Sequence, residues 1–509
     1  MITETLAAWV PTLSFEALPP IARSRAKLAV FDCCGTAVAG VRHAAAHHVR
    51  QLILEMGSTP TVRIIGDNLL LSPLDAAWLT GTMTDAYLYS DTHFPSNAHL
   101  TSVLLPVLLV LGELHEMTGA EALTAYAAGF EVATRLAEGI NPEHYRHGWH
   151  TTAVAGVLGA TATAGRIMGL SPEQLQQAFG IATSEAAGSR SNFGTDTMPM
   201  HSGRAARSGL LSAMLAAKGF TGNPQALESP MGWLDLFRGA SQVRPEAVLH
   251  QLGESFALER PELYFKLYAN GAPTHRFIDA VLALREQGVT PEQVERVVCR
   301  VNPTYVQTLR YARPQTPQQA RVSLQYAIAV ALCDGQVSLP QFNTSRVQAA
   351  DVQDLMTRVE LEADDGLSAT TGSDFTAAPA TVHIELRDGR RLTETVAHER
   401  GSPERPPRRP EFEAKFRHCV LHTLTEEKTL LALRYLYQLE ALPSFRMILD
   451  GLSLAPRPGA AGEGQTGTAA PATPPDAAPE APPESTPPSA AVDRLAELEA
   501  RLRALEAQK

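Results

Sequence analysis

Long stretches of helical periodicity, built largely from alanine and glycine, dominate the first half of this sequence. Between residues 2 and 266, apolar residues recur at intervals of three and four, and Gly and Pro separate the periodic segments. The clearest helices are predicted over 22–39, 121–138 and 151–168, the last composed mostly of small residues. Because aromatic residues make up only 6% of the chain, we expect helices packed through small residues rather than a β-sandwich. The sequence therefore predicts a multi-helix globular domain.

The character of the sequence changes near residue 267. Residues 294–301 (VERVVCRV) are β-branched and partly alternating, which is typical of a half-buried strand, and 358–362 form a shorter candidate. Residues 381–386 and 391–396 flank Asp388-Gly389, a strong signal for a β-hairpin turn. One helix is predicted before the first of these strands, over 277–287, and another after it, over 318–334. We therefore predict a mainly α protein with a smaller α+β domain.

The predicted domain boundaries follow these changes in pattern. The helical domain covers 1–266, the α+β domain covers 267–404, and a return segment at 405–454 is helical again and could rejoin the first domain. Residues 455–490 are rich in Pro and Ala and have almost no large apolar side chains, so we expect a disordered linker. Residues 491–509 carry leucines at 3-4-3 spacing, which predicts a short amphipathic, coiled-coil-like helix that needs a partner.

Charge and cysteine content exclude several classes of function. The formal net charge is −11 with no basic stripe, which argues against nucleic acid as a partner. The strongest apolar run, 103–111, contains Pro106 and is far short of the roughly 18 residues that span a bilayer. The five cysteines are an odd number and favour a reduced compartment, and the N-terminus does not resemble a signal peptide. We expect a soluble, cytoplasmic protein that acts on a small molecule, not on a membrane.

Sequence motifs for common cofactors and metals are missing. The chain has no phosphate-binding P-loop, no C-x-x-C pair, no H-E-x-x-H and no G-x-S-x-G, so no cofactor and no metal is predicted. His43 and His47 lie four residues apart and could share a metal, but no carboxylate or cysteine lies beside them. We therefore expect them on a solvated helix face.

Histidines in polar segments are the strongest candidates for catalysis. His99, His150 and His201 each lie at or beside a predicted helix N-terminus. That position favours anions and disfavours an imidazolium ion, which leaves a neutral imidazole suited to act as a base near pH 7. His275 and Tyr326 lie in further polar segments, beyond the change in domain character. The alternative is that these are capping or core histidines and that Tyr326 is a core aromatic, and position alone leaves both interpretations open.

Several motifs occur in a fixed order along the chain: Phe31 to Thr36, Gly81 to His93, Gly148-Trp149-His150, Met198 to Ala206 (MPMHSGRAA) and Gly219 to Trp233. Together they resemble the MmgE/PrpD family, whose members include dehydratases, decarboxylases and epimerases. The resemblance runs from about residue 5 to 450. It implies a helical domain built from both ends of the chain, an inserted α+β lid, a homodimer, and metal-free catalysis in the cleft between the two domains.

By matching motifs, the resemblance places active-site positions at Asp91, Thr92, His99, His150, His275 and Tyr326, with His201 nearby. In the expected mechanism His150 or His99 removes a proton next to a carboxylate, and a second histidine donates a proton. His275 and Tyr326 close in from the lid and stabilise the developing enolate. Asp91, Thr92 and His201 are expected to contact the substrate.

Two departures from the family pattern affect the expected substrate. Leu88 and Ser90 stand where the family has carboxylates, and Met198 replaces a lysine that would pair with a substrate carboxylate. We expect Leu88 and Met198 to line the site and Arg190, in the adjacent segment, to supply the missing cation. These changes favour a less anionic substrate than a tricarboxylate.

Three functions remain open from the sequence. The first is a hydro-lyase that dehydrates a small oxygenated carboxylic acid by histidine acid–base chemistry. The second is an isomerase, epimerase, cyclase or decarboxylase of the same fold that acts on a less anionic, specialised substrate. The third is a non-catalytic scaffold that binds a protein partner or forms a higher assembly through the helix at 491–509.

Overall fold

The computed structural model describes residues 1–237, 245–368 and 378–457. These residues lie in one compact unit that spans residues 1–468. The predicted coiled-coil-like helix at 491–509 and the predicted linker from residue 458 onward lie outside the described residues. Within the described parts of the chain, every helix is too short or too polar to cross a lipid bilayer.

Most of the chain before the lid is helical. In order, the helices are α1 (Ile2–Trp9), α2 (Pro20–Gly40), α3 (Ala44–Met56), α4 (Pro73–Asp85), α5 (Thr101–Leu114), α6 (Gly119–Glu138), α7 (Glu143–Arg146), α8 (Thr151–Val154), α9 (Gly156–Ile167), α10 (Pro172–Glu185), α11 (Thr197–Ala217) and α12 (Trp233–Phe237). Two short antiparallel ribbons join them, β1 (Val62–Arg63) with β2 (Leu70–Leu71), and β3 (Thr92–His93) with β4 (Leu263–Tyr264).

The lid combines helices with a mixed four-stranded sheet. In chain order it contains α13 (His275–Glu286), β5 (Val294–Val301), α14 (Pro303–Thr308), α15 (Pro317–Ala320), α16 (Leu324–Asp334), α17 (Thr344–Val347), α18 (Ala350–Met356), β6 (Val359–Ala363), β7 (Ala380–Leu386) and β8 (Arg391–Val396). The strand order is β6-β5-β7-β8, and β5 pairs parallel with β6 and antiparallel with β7. The sequence prediction of a hairpin across Asp388-Gly389 is confirmed, because β7 and β8 pair antiparallel there.

The chain then returns to the helical domain through α19 (Arg409–Val420), α20 (Glu426–Tyr437) and α21 (Met447–Leu452). The ring of Phe31 on α2 contacts Phe412 and Phe416 on α19 at centroid distances of 5.6 and 5.3 Å. The Lys415 ammonium pairs with Asp32 at 2.7 Å. Both ends of the described chain therefore build one large helical domain, into which the smaller α+β domain is inserted.

Glycines bring the helices of the large domain into backbone contact. A Cβ atom on Gly81 of α4 would lie only 2.6 Å from the Cα of Gly203 on α11. A Cβ on Gly159 of α9 would lie 2.7 Å from the carbonyl oxygen of Gly129 on α6. The small residues that the sequence places on these helices thus allow close packing that any side chain would prevent.

Three predicted helices differ from the observed ones. The helix predicted over 151–168 is interrupted at Ala155. The next residue is Gly156, and a Cβ atom on it would lie only 3.0 Å from the Val103 side chain, which packs closely there. The helix predicted over 318–334 is also divided, because the Ser323 hydroxyl accepts the Tyr326 N–H at 3.1 Å and starts a new helix there. The helix containing His201 starts at Thr197, so His201 lies in its second turn rather than at its start.

Two clusters of buried apolar side chains meet at the cleft. One lies within the large helical domain. The other fills the lid and extends onto the helical domain through Leu88, Tyr89, Phe193 and Met198. The segments that carry the predicted site residues therefore lie where the two domains contact each other.

Candidate active site

His99 lies just before α5 and is held by the loop that precedes it. Its Nδ1 lies 2.9 Å from the carbonyl oxygen of Asp91 and 3.1 Å from the Thr92 hydroxyl. Because a carbonyl oxygen only accepts, Nδ1 carries the proton and donates, which leaves the lone pair of Nε2 available as a base. The His99 amide donates to the Thr152 hydroxyl at 3.0 Å. The sequence-predicted residues Asp91, Thr92 and His99 are thus brought together.

His150 and His201 form a hydrogen-bonded pair beside His99. Their Nδ1 atoms lie 3.0 Å apart, so one Nδ1 donates a proton and the other accepts it. The ring centroids of His99 and His150 are 6.3 Å apart. A Cβ on Gly188 would lie 2.6 Å from the Cβ of Ala153, so only glycine permits the close approach of that segment to α8. The structure therefore places three histidines in one buried group.

Burial keeps these imidazoles neutral. It lowers the pKa of His99 to about 3, and the nearby charge of Lys266 lowers it further. Burial, followed by the charge of Arg204, lowers the pKa of His201 to about 4. The pKa of His150 falls well below its usual range, because of burial and then the proximity of His201 and His99. At neutral pH all three are imidazoles, not imidazolium ions.

Asp91 supplies a buried carboxyl group that can hold a proton. Its Oδ2 accepts the Thr101 hydroxyl at 2.6 Å, whereas Oδ1 has no partner among the described residues. Burial raises its pKa to about 7, although the Thr101 hydrogen bond opposes the shift. Near neutral pH this group is present in both its acid and its carboxylate forms.

Lys266 is a site residue that the sequence analysis missed. The antiparallel pairing of Thr92 with Tyr264 brings its segment beside the Asp91 loop. The side chain is fully buried, and Nζ donates to the Leu88 carbonyl oxygen at 3.0 Å. Burial lowers its pKa to about 8, and the charge of Asp85 opposes that shift. A lysine inside the apolar run around Tyr264 and Tyr268 was the signal that could have identified it.

His275 and Tyr326 lie in the lid with their polar atoms already engaged. The Nδ1 of His275 bonds to the Tyr264 hydroxyl, and its Nε2 lies 3.3 Å from the Asn270 carbonyl oxygen. The Tyr326 hydroxyl donates to the Gln341 carbonyl oxygen, and its ring packs against Phe342. In this conformation neither side chain presents a free acid or base to the three histidines.

The structure places the other predicted site residues, Arg190, Met198 and Leu88, in different surroundings. The Arg190 guanidinium lies over the Tyr145 ring, 3.7 Å from its centroid, and donates to the Tyr145 carbonyl oxygen and the Thr308 hydroxyl. Met198 and Leu88 are buried in the apolar cluster of the lid. The predicted cation is therefore present near His150, whose pKa it lowers, and its terminal nitrogens are bonded to Tyr145 and Thr308, whereas its Nε has no partner among the described residues.

His43 does not lie on a solvated helix face, and that expectation is wrong. It is buried, and its Nδ1 accepts the Ala45 N–H at 3.1 Å at the start of α3. The reason is that α3 begins only after His43, which becomes its N-cap.

One group of described side chains has the composition of a metal site: His93, Glu138 and Glu262. The Arg260 guanidinium already pairs with Glu138 at 2.5 Å and with Glu262 at 3.1 Å. These carboxylates therefore have a cationic partner from the chain itself.

Comparison with known proteins identifies the fold and its relatives. The MmgE/PrpD N-terminal domain matches residues 4–246, and the MmgE/PrpD C-terminal domain matches residues 268–435. Cis-aconitate decarboxylase of Mus musculus is 28% identical over 469 residues, covering 89% of this chain and 94% of the relative. The Homo sapiens enzyme is 28% identical, covering 82% and 87%, and the Aspergillus terreus enzyme is 27% identical, covering 80% and 86%. The chain therefore belongs to the MmgE/PrpD family of enzymes.

Proposed function

We propose that this protein is a lyase that decarboxylates a small unsaturated polycarboxylate of the cis-aconitate type. The observation that carries the proposal is the buried group of His99, His150 and His201 beside the ammonium of Lys266 and the carboxyl of Asp91. This set combines proton carriers with a positive charge in a site shielded from water, which suits reactions through an enolate-like intermediate. The names of the relatives support the choice of substrate.

The chemistry requires one proton and one stabilised negative charge. In cis-aconitate, the carboxylate on the methylene carbon leaves as CO2, and the electrons of the broken C–C bond form a new C=C bond. The electrons of the original double bond move to the far alkene carbon, which takes up one proton. Negative charge develops on the carboxylate beside that carbon, where the Lys266 ammonium is suited to stabilise it. The net change is uptake of one proton and release of one CO2.

The proton is supplied by an acid that forms when the substrate binds. The three imidazoles are neutral in the free protein. A bound polyanion favours the imidazolium form and raises their pKa values. We assign His150 or His99 as the acid that protonates the alkene carbon. In His99, Nδ1 is bonded to the Asp91 carbonyl oxygen, so Nε2 is the atom available to carry the proton to the substrate.

Dehydration of a hydroxy acid is the second candidate function. A neutral imidazole with a free Nε2, as in His99, is the form needed to remove a proton next to a carboxylate. The Asp91 carboxyl, with a pKa of about 7 through burial, is suited to protonate a leaving hydroxyl. Dehydration uses the same side chains as decarboxylation. The two reactions are therefore distinguished by which substrate is consumed and which product is formed.

The test is incubation of the purified protein with cis-aconitate in D2O, followed by NMR and measurement of CO2. We expect CO2 release, with one deuterium in the newly formed methylene group of the product. His99→Gln and His150→Gln should each lower kcat by about 100-fold or more. The control His48→Gln, an exposed histidine with 66% of its side chain accessible, should be unchanged. Water loss from citrate or 2-methylcitrate without CO2 release would instead establish dehydration, and deuterium exchange without net loss would establish an isomerase.

A further inference from the structure

Several buried side chains around the cleft have polar atoms that no described residue satisfies. Among them are Oδ1 of Asp91, Nε of Arg190, Oδ1 and Nδ2 of Asn270, Nε and Nη1 of Arg321, and Oε1 of Gln325. Native proteins leave few buried polar atoms without partners, because each loses its hydrogen bonds to water. A group of donors and acceptors of this kind, next to a candidate active site, is suited to bind a ligand that completes them.

Arg321 is the most unusual member, because it is a buried cation without a counter-charge. It is 2% exposed and lies in the break between α15 and α16. Among the described residues, no carboxylate lies within ion-pair distance of it, whereas buried Arg63 pairs with Glu113 at 2.7 Å and Arg276 pairs with Glu399 at 2.5 Å. Burial of a charge that remains unpaired is strongly unfavourable.

Two aromatic rings hold the guanidinium without using its N–H groups. Its central carbon lies 4.8 Å from the ring centroid of Tyr87 and 4.6 Å from that of Phe342. Such contacts engage the face of the guanidinium plane. The N–H groups in the plane still need acceptors, and a carboxylate matches their spacing with two parallel hydrogen bonds.

Backbone contacts connect Arg321 to the segment that carries His275 and Lys266. The Gly271 N–H donates to the Arg321 carbonyl oxygen at 2.9 Å. This bond holds Asn270, whose side-chain amide is unpaired, beside the Arg321 segment. The Asn270 carbonyl oxygen in turn accepts from Nε2 of His275 at 3.3 Å. The unpaired groups of Asn270 and Arg321 therefore belong to the part of the lid that carries His275.

We propose that Arg321, together with Asn270 and Gln325, forms an anion subsite that binds one carboxylate of the substrate. The identity of the substrate rests on the proposed function, but the subsite itself rests on the unpaired buried groups. Met198, which the motif resemblance matches to a lysine of the family, carries no charge, and the two terminal nitrogens of Arg190 donate to Tyr145 and Thr308. Arg321 supplies a second cation in addition to the Lys266 ammonium, and it allows a polycarboxylate to bind despite the change at Met198.

The test uses the full-length protein and propane-1,2,3-tricarboxylate, a saturated and unreactive probe, in isothermal titration calorimetry. We expect Arg321→Gln to weaken binding at least tenfold and Arg321→Lys to weaken it less, because lysine keeps the charge but not the planar fork. Arg313→Gln, which removes an exposed arginine of the lid, is the matched control and should bind as the wild type does. Without the probe, Arg321→Gln should melt at or above the wild-type temperature, because an unpaired buried charge has been removed.

Two results would overturn the subsite. One is unchanged probe affinity in both Arg321 variants, or no binding to the wild type. The other combines two observations: the Arg321→Gln variant melts at a lower temperature than the wild type without the probe, and the probe raises its melting temperature as much as that of the wild type. A purely structural arginine would behave in this way. Failure of the proposed function can be distinguished from failure of the subsite. If only the proposed function is wrong, the wild type binds the probe through Arg321 but releases no CO2 from cis-aconitate. Normal turnover with an unchanged KM in Arg321→Lys and Arg321→Gln would remove the subsite and leave the proposed function intact.

Discussion

Replacing Lys266 with methionine separates the contribution of this side chain to stability from its contribution to chemistry. The ammonium is fully buried and, within the described ranges, has one hydrogen bond, to the Leu88 carbonyl oxygen at 3.0 Å. Burial lowers its pKa from the usual 10.5 to about 8. The folded state therefore binds this proton more weakly than the unfolded state does.

The magnitude follows from that difference in pKa. Each pKa unit corresponds to about 1.4 kcal/mol, so keeping the ammonium charged in the fold costs about 3 kcal/mol at pH 7. The cost is complete below pH 8 and disappears as the pH rises towards 10.5, and at pH 9.5 it is about 1 kcal/mol. Loss of the hydrogen bond to Leu88 destabilises the variant by about 1 kcal/mol and so offsets part of this gain in stability. We expect Lys266→Met to stabilise the protein by about 2 kcal/mol at pH 7, with no gain left at pH 9.5.

The assay combines urea unfolding at pH 7 and pH 9.5 with steady-state turnover of cis-aconitate. If Lys266 stabilises charge that develops in the transition state, kcat should fall about 10²- to 10³-fold while the protein becomes more stable. Lys218→Met, which removes an exposed lysine at the end of α11, is the control and should change neither quantity. A destabilised Lys266→Met variant at pH 7, or a gain that is equal at both pH values, would refute the reasoning from burial. Full activity would remove Lys266 from the mechanism.

The remaining predictions concern the histidines and the helix contact beneath them. Because the pKa values of His99 and His201 in the free protein are about 3 and 4, binding of propane-1,2,3-tricarboxylate at pH 7 should take up protons. The binding enthalpy should then differ between phosphate and Tris buffers, and zero uptake or proton release would contradict an acid formed on binding. Gly81→Ala should destabilise the protein by about 1–3 kcal/mol and lower turnover, because its Cβ would lie 2.6 Å from the Cα of Gly203 on the helix that carries His201. Ala217→Ser on the exposed end of the same helix is the control, and equal stability of the two variants would contradict backbone contact.

Local patterns in the sequence predicted several elements closely. The alternation over 294–301 coincides with β5, and Asp388-Gly389 lies in the turn between β7 and β8. The start of α10 is equally local, because Ser171 caps the helix and accepts the Gln174 N–H at 3.2 Å. These elements are specified by neighbouring residues, since turn geometry, capping and side-chain alternation are local properties.

The sequence was less informative wherever a distant segment decided the outcome. The break at Ala155 depends on the approach of Val103 from α5. His43 was misplaced because α3 begins after it, and the segment around it is buried. Lys266 stands out in the sequence as a lysine in an apolar run, but only the pairing of Thr92 with Tyr264 places it beside Asp91.

By itself, the sequence determined the mainly helical class, the small-residue packing and the set of polar residues available for catalysis. The ordered motifs also identified the family, which the matches to both of its domains confirmed. A neutral imidazole at His99 was predicted from its place beside a helix, but only the tertiary structure decided that burial is the main cause. Only the tertiary structure also decided that Asp91 is half-protonated and that Lys266 holds its proton more weakly than usual. The physical reason is that a pKa shift sums desolvation and charge over groups from distant segments, and no local pattern records which groups will meet.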